Sequence, residues 1–419
     1  MRKPLLLLGL LWLSACRGVL EVSIEREASP PASLLGKVAY IAGGDVWVVE
    51  LDTNQRTRLT RDGRNSRPIW SADGRWIAYY KGDQLWALEV GAGREYLISD
   101  TPVDEFAWSP VQDQLAYLSA ASGLVVWRAI EQSAQNLVES EAMMTLVHFA
   151  WDPTGKWLAY EARGAESRLH KTSLDGVSST LYMATDRMQI PHLASWSGDG
   201  RWLLVWMGPA SALAEMDGLP LCLIAADGGT PRCLREKMLL KSDWLSCSPE
   251  GSLHLALIAG AGRETWINKG LAWMNPENMK LNWLVKPEEQ AVGYPAWSPD
   301  GKSIAYSASP FLSPSEAYSQ REAALAGRRI WLMDFVSGRR NPLTRDERYR
   351  DERPLWSADG QHILFARISE TGASLWLMEA DGDSLQQVVD ELTPRPDPLG
   401  DYGYIDWSAW YDWWRPGVP

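Results

Sequence analysis

Apolar runs of three to five residues, each bounded by turn signals, recur along the chain from Lys37 onward. Typical runs are Trp76-Ile77-Ala78-Tyr79, Trp157-Leu158-Ala159-Tyr160 and Ile304-Ala305-Tyr306. Each follows a phrase made of a small residue, a Trp, and Ser-x-Asp-Gly or a worn version of it. The phrase stands at residues 69–74, 107–110, 150–155, 195–200, 246–251, 296–301, 355–360 and, shortened, at Asp406-Trp407-Ser408. Ser, Pro and Gly in that order suit a tight type I turn, so the phrase predicts a hairpin. A third run with an aromatic second position follows in most units, as in Val46-Trp47-Val48-Val49, Leu85-Trp86-Ala87-Leu88 and Ile330-Trp331-Leu332-Met333. A weaker fourth strand closes the unit, as in Thr57-Arg58-Leu59-Thr60.

Four short strands repeated every 40 to 50 residues predict an all-β fold, a single β-propeller of four-stranded antiparallel blades. Residues 37–60 supply three strands with no first strand, and residues 403–410 a first strand with nothing after it. Pairing these predicts an eight-bladed ring closed by N- and C-terminal strands, which removes the open edge of an unclosed array. The 24 Trp residues are expected to fill the gaps between blades as structural residues.

The ends divide the chain further. Arg2 and Lys3, the apolar run from Leu5 to Trp12, and Leu13-Ser14-Ala15-Cys16 compose an export signal too short to span a membrane. Leu-Ser-Ala-Cys resembles a bacterial lipobox, which implies lipidation at Cys16. Residues 1–16 therefore read as a lipoprotein signal peptide, 17–35 as a polar tether, and 36–419 as the propeller. The tether reaches about 60 Å when extended. A net charge of −12 argues against nucleic acid as a partner.

Cys222 and Cys233 flank Ala226-Asp227-Gly228-Gly229 and would face each other across a turn, as a disulfide or as two buried thiols. Cys247 replaces the phrase Trp and is expected to be a buried, unpaired core residue. Of five His, His170 and His362 stand in Trp slots. His148 and His192 begin first strands and are expected on the channel wall, without a supporting metal-ligand pattern. No metal, cofactor or catalytic residue is predicted, and the repeated Asp73, Asp199, Asp300 and Asp359 read as turn chemistry.

Candidate binding residues come from the irregular loops. Ser313-Pro314-Ser315-Glu316 forms a capping box and Gly327 a stop, predicting a helix inside the seventh blade. Arg345, Asp346, Arg348, Arg350, Asp351, Glu352 and Arg353 follow on the next connection, and Arg61, Asp62 and Arg64 on that between the first two blades. By topology these loops share one face, which predicts a partner-binding surface.

The phrase Trp-Ser-Pro-Asp-Gly-Lys at residues 297–302, with Ile-Ala-Tyr after it and Ile-Trp-Leu-Met-Asp later, resembles the WD40-like repeat of the TolB family. The same repeat occurs in the propellers of prolyl-oligopeptidase-type peptidases and of oligogalacturonate lyases. The resemblance implies a cell-envelope propeller that binds protein partners. The chain departs from TolB proper in its eight expected blades, its lipobox and the lack of room for an N-terminal α/β domain. The expectation is thus a monomeric, extracytoplasmic protein anchored to the membrane by its N-terminal lipid, scaffolding an unknown envelope protein without catalysis. The alternatives are a channel-based lyase or hydrolase, or a small-ligand sensor.

Overall fold

The computed structural model describes residues 34–249, 253–313, 315–316, 319–397 and 400–417. Cys16, the leader and nearly all of the tether lie outside them. Eight four-stranded antiparallel sheets form an eight-bladed β-propeller. Seven are built from consecutive strands, such as Asn65–Trp70, Trp76–Lys81, Gln84–Glu89 and Arg94–Ser99 of blade 2. Blade 1 joins Lys37–Ala42, Asp45–Glu50 and Gln55–Arg58 to the C-terminal strand Tyr411–Trp414. Consecutive residues such as Ile77, Ala78 and Tyr79 are all fully buried, because each blade is covered on both faces by its neighbours.

The repeated phrase has a repeated chemistry. Ser71 Oγ accepts from the Trp76 amide (3.0 Å) and donates to Asp73 Oδ1 (2.7 Å), which also accepts from the Arg75 amide (3.0 Å). The same set recurs at Ser197, Ser298 and Ser357. The Gly that follows sits at φ +69° at positions 74, 200 and 360, a left-handed conformation in which a side chain would be strained. Asp is therefore fixed by the turn. The phrase Trp then ties blade to blade: Trp108, Trp151, Trp196 and Trp356 each donate Nε1 to the carbonyl before the preceding blade's Trp, or its counterpart, at 3.1 Å.

Three expectations need correction. The ring closes six residues later than the sequence suggests. Val38 pairs with Trp413 as Ile77 pairs with Trp70, so Trp413 holds the phrase position. Asp406-Trp407-Ser408 forms a helical turn, because Asp406 Oδ1 accepts from both the amide (3.2 Å) and the hydroxyl (2.5 Å) of Ser408. The capping box forms its reciprocal bond, Ser313 amide to Glu316 Oε2 at 3.2 Å. The described α-helix of that blade, however, is only Arg321–Ala326 (α2), ending at Gly327. Another short helix, Ala212–Asp217 (α1), interrupts blade 5 and had no clear sequence signal. Finally, Cys247 is exposed and unpaired. Its backbone pairs with Leu255 in the phrase register and it lies beside Gly198 of the preceding blade, but its short side chain does not fill the space that a Trp would. Cys222 and Cys233 are register partners joined by a disulfide.

Candidate functional site

Three inner strands break register at one shared position. Arg67, Tyr294 and Arg353, each before a Pro and three residues before the phrase Trp, adopt φ +52°, and each sits in a bulge. Such backbone costs of order 1–3 kcal/mol per residue, and a bulge re-aims a side chain. Here Arg67 and Tyr294 meet a single segment, and Arg353 the strand just after it. Arg67 Nη2 donates to Asp406 Oδ2 (2.5 Å) and Ser408 Oγ (3.1 Å). The Tyr294 hydroxyl donates to the Ile405 carbonyl (2.8 Å). Arg353 Nη1 reaches the Tyr411 carbonyl (3.3 Å).

That segment, residues 401–409, plugs one mouth of the channel. The Thr265 amide donates to the Tyr402 carbonyl (3.0 Å), and the Tyr404 hydroxyl to both Asp243 oxygens (3.1 Å each). Asp243 precedes the inner strand of blade 6, and Arg67 lies on that of blade 2, across an eight-bladed ring. A segment holding both must cross the axis. Beneath it Arg328, Arg350 and Glu352 are buried together: Arg350 donates to Glu352 Oε1 at 2.7 Å and Arg328 pairs with the same oxygen. Both guanidiniums also donate to the Gly403 carbonyl, at 3.0 and 2.8 Å, and Trp407 Nε1 donates to Glu352 Oε2 (3.0 Å). Burial opposes the Glu352 charge, yet Arg350 and Arg328 hold its carboxyl below the ordinary value.

Below the plug a cavity of about 260 Å³ opens along blades 6 to 8, between Asp243, Tyr294, Pro295, Trp297, Arg353, Trp356 and Arg415. Burial pushes the Asp243 carboxyl from 3.8 up to about 7, although Arg353 and the Tyr404 hydroxyl favour its charge. A folded-state value above the unfolded one stabilises the fold at low pH, and that advantage fades as pH rises through about 7. Asp243→Asn should therefore flatten the stability profile between pH 4 and pH 8, removing a loss of as much as about 4 kcal/mol. Urea unfolding at both pH values checks this; an unchanged slope would show that Asp243 titrates normally.

The charge run expected on the rim is split by the structure. Arg61, Asp62 and Arg64 are exposed, with Asp62 paired to Lys81 Nζ (2.8 Å). Arg345 and Arg348 are exposed and Asp346 partly so, Arg348 pairing with it at 2.6 Å. Arg350, Asp351 and Glu352 are instead buried in the ionic layer, Asp351 against Arg367 at 2.7 Å, and Arg353 lines the channel. The first three cannot present a surface to a partner, and Arg353 faces the channel instead of the rim. Arg345 and Glu347 line a cleft of about 450 Å³ with Arg329, Pro310, Pro342 and Ala323 of α2. The Arg61 and Arg64 loop lies outside that cleft.

His148 and His192 differ in burial and in the direction of their pKa shifts. His148 is exposed, with Nδ1 3.4 Å from Glu105, whose carboxylate raises its pKa. His192 is buried and pushed down to about 4 by desolvation and by Arg163, whose Nη2 donates to Nδ1 (3.0 Å). Among the described residues no group of three His, Cys, Asp or Glu could hold a metal ion, and no helix is long and apolar enough to cross a membrane. The plug, Arg328 and Arg415 escaped the sequence reading, which placed Arg350 and Arg353 on the rim. The signal available was the recurring x-Pro-x-Trp at Arg67, Tyr294 and Arg353.

No family model matches the chain. The Tol-Pal system protein TolB of Desulfosudis oleivorans is 29% identical over 126 residues, covering 25% of this chain and 29% of that protein. An uncharacterised protein of Agrobacterium fabrum is 34% identical over 214 residues, 49% of this chain and 62% of that protein. The chain thus spans less than two thirds of either relative. Among solved structures, an oligogalacturonate lyase in complex with manganese superposes with a TM-score of 0.52 at 14% identity, over 82% of this chain and 97% of that one. At such identity the likeness concerns the fold alone. The chain is an eight-bladed β-propeller, similar over a quarter of its length to a TolB protein.

Proposed function

We propose that this propeller is a lipid-anchored, extracytoplasmic scaffold of the cell envelope. It binds a protein partner at the rim beside α2 and catalyses no reaction. The observation that carries this reading is the cleft between α2 and the following loop, where Arg329, Arg345 and Glu347 stand over apolar Pro310, Ala323 and Pro342. An apolar floor with charged walls suits a protein segment, since Arg can pair carboxylates bidentately. Arg348 adds charge beside it, and Arg61 and Arg64 extend the same face. Support for the setting comes from the likeness to TolB and from the lipobox at Cys16.

Two variants test the reading. Full-length protein carrying Arg345→Glu and Arg348→Glu should keep its circular dichroism and melting temperature. It should lose at least about tenfold of the partner co-isolated from membranes by the unaltered protein. Undiminished recovery places the partner site elsewhere, and turnover of peptides or glycans by purified protein establishes an enzyme. Cys16→Ser should accumulate as an unprocessed precursor; a cleaved, lipidated product rules out the anchor.

A further inference from the structure

The channel arginines fall into two groups. Arg67 is paired with Asp406, Arg328 and Arg350 with Glu352, and Arg367 with Asp351. Arg353 and Arg415, among the described residues, have no carboxylate within ion-pair distance, and both line the cavity below the plug. Asp412 acts on both guanidiniums and Asp243 on Arg353, in each case without an ion-pair contact. Arg353 lies over the Tyr411 ring (4.6 Å to its centre) and donates Nη1 to the Tyr411 carbonyl. Arg415 lies over Trp413 (5.5 Å) and donates Nη1 to the Trp356 carbonyl at 3.0 Å. Arg415 Nε is buried with no hydrogen-bond partner. Asp412 is itself engaged by the Trp70 amide (2.9 Å).

We infer that this cavity is a binding site for a carboxylate, held between Arg353 and Arg415. Two cations beside largely apolar walls, with a buried N–H that has no hydrogen-bond partner, form a site suited to an anion, with Asp243 the one acid in its lining. A buried charge without a partner is costly, and an arginine–carboxylate pair is among the stronger ways to offset it. Trp297, Trp356 and Pro354 complete the walls and lower the local dielectric, which strengthens the pairing. A volume near 260 Å³ lies just below the common range for ligand sites. It admits a small organic acid or the carboxyl end of a peptide, and excludes a folded domain. Asp243, on the same cavity wall, accepts from Tyr404 of the plug, so one side chain separates a ligand here from the segment that closes the channel. This site is separate from the rim cleft, and either can fail without the other.

Titration of the full-length protein tests the site, read by tryptophan fluorescence and by melting temperature. The probes are succinate, acetyl-trialanine with a free carboxylate, the same peptide as its C-terminal amide, and chloride at equal ionic strength. Succinate, the free-acid peptide or both should quench fluorescence and raise the melting temperature, while the amide and chloride do neither. Succinate alone identifies a free acid as the ligand; the peptide acid alone identifies a chain end. Arg353→Gln and Arg415→Gln should each weaken binding by at least about tenfold, and Arg415→Lys, should the Gln variant fold poorly, by somewhat less. Arg168→Gln, at a partly exposed arginine paired with Glu166 in blade 4 and outside the cavity, serves as the control and should bind normally. No response to either acid, equal response to the amide, or unchanged affinity in the folded Arg353 and Arg415 variants overturns the assignment.

Discussion

Deleting residues 402–419 is expected to abolish soluble, folded protein. The strand lost pairs with Lys37–Ala42 through Lys37–Trp414, Val38–Trp413, Ala39–Asp412 and Tyr40–Tyr411, so blade 1 would lose its inner strand and the ring its closure. Trp407 and Tyr411 are fully buried, Trp413 is 3% exposed and Ile405 4%. At roughly 1.5–3 kcal/mol per large buried side chain, these four represent about 6–12 kcal/mol. That is of the order of the whole stability of a folded domain. The damage would extend beyond the lost side chains. Trp413 Nε1 donates to the Leu35 carbonyl (2.8 Å) and Trp414 Nε1 to the Ala72 carbonyl (3.0 Å), linking the strand to blades 1 and 2. Expression yield and thermal melting by circular dichroism decide the matter. A truncated protein that melts like the full chain would show that the ring does not depend on its C-terminal strand.

What could be read from the sequence follows the range of the interactions. The Ser-x-Asp-Gly turn is legible because Ser71, Asp73 and Gly74 act within five residues of one another. Its repetition reveals the blades. The closing strand misleads because Asp406-Trp407-Ser408 copies the phrase, whereas Asp412-Trp413-Trp414-Arg415 has lost the Ser. Only the pairing with Val38, far away in sequence, tells them apart. The run from Arg345 to Arg353 looks like one solvated patch for a similar reason. Charged residues in a row give no sign that a second arginine, Arg328, and the Gly403 carbonyl wait to bury part of them. The channel site is split more widely still, between Asp243, the bulge at Arg353 and the C-terminal Arg415. Its one local trace is the Pro after Arg67, Tyr294 and Arg353, where the inner strand breaks register.

Replacing Glu352 by Ala should cost about 3–5 kcal/mol, the usual penalty for breaking a buried ion pair from one side. The side chains of Arg328 and Arg350 are each 4% exposed and that of Glu352 0%, so water cannot take over the lost charge. Two guanidiniums would then repel each other beneath the plug, and the Trp407 indole would lose its acceptor. Glu352→Gln restores an oxygen for Trp407 without the charge and should fall between Ala and the unaltered protein. The native carboxyl sits below its ordinary value. Its contribution is therefore complete above the unfolded-state value and lost as pH falls through the folded one. At acidic pH the Glu and Gln proteins should converge, with Ala still below them for want of the Trp407 acceptor, and at pH 7 the three should separate in the order Glu, Gln, Ala. Urea midpoints at the two pH values test both claims. Equal midpoints at pH 7 would show that the cluster is hydrated and that the plug rests on its apolar contacts, Ile405 and Trp407, alone.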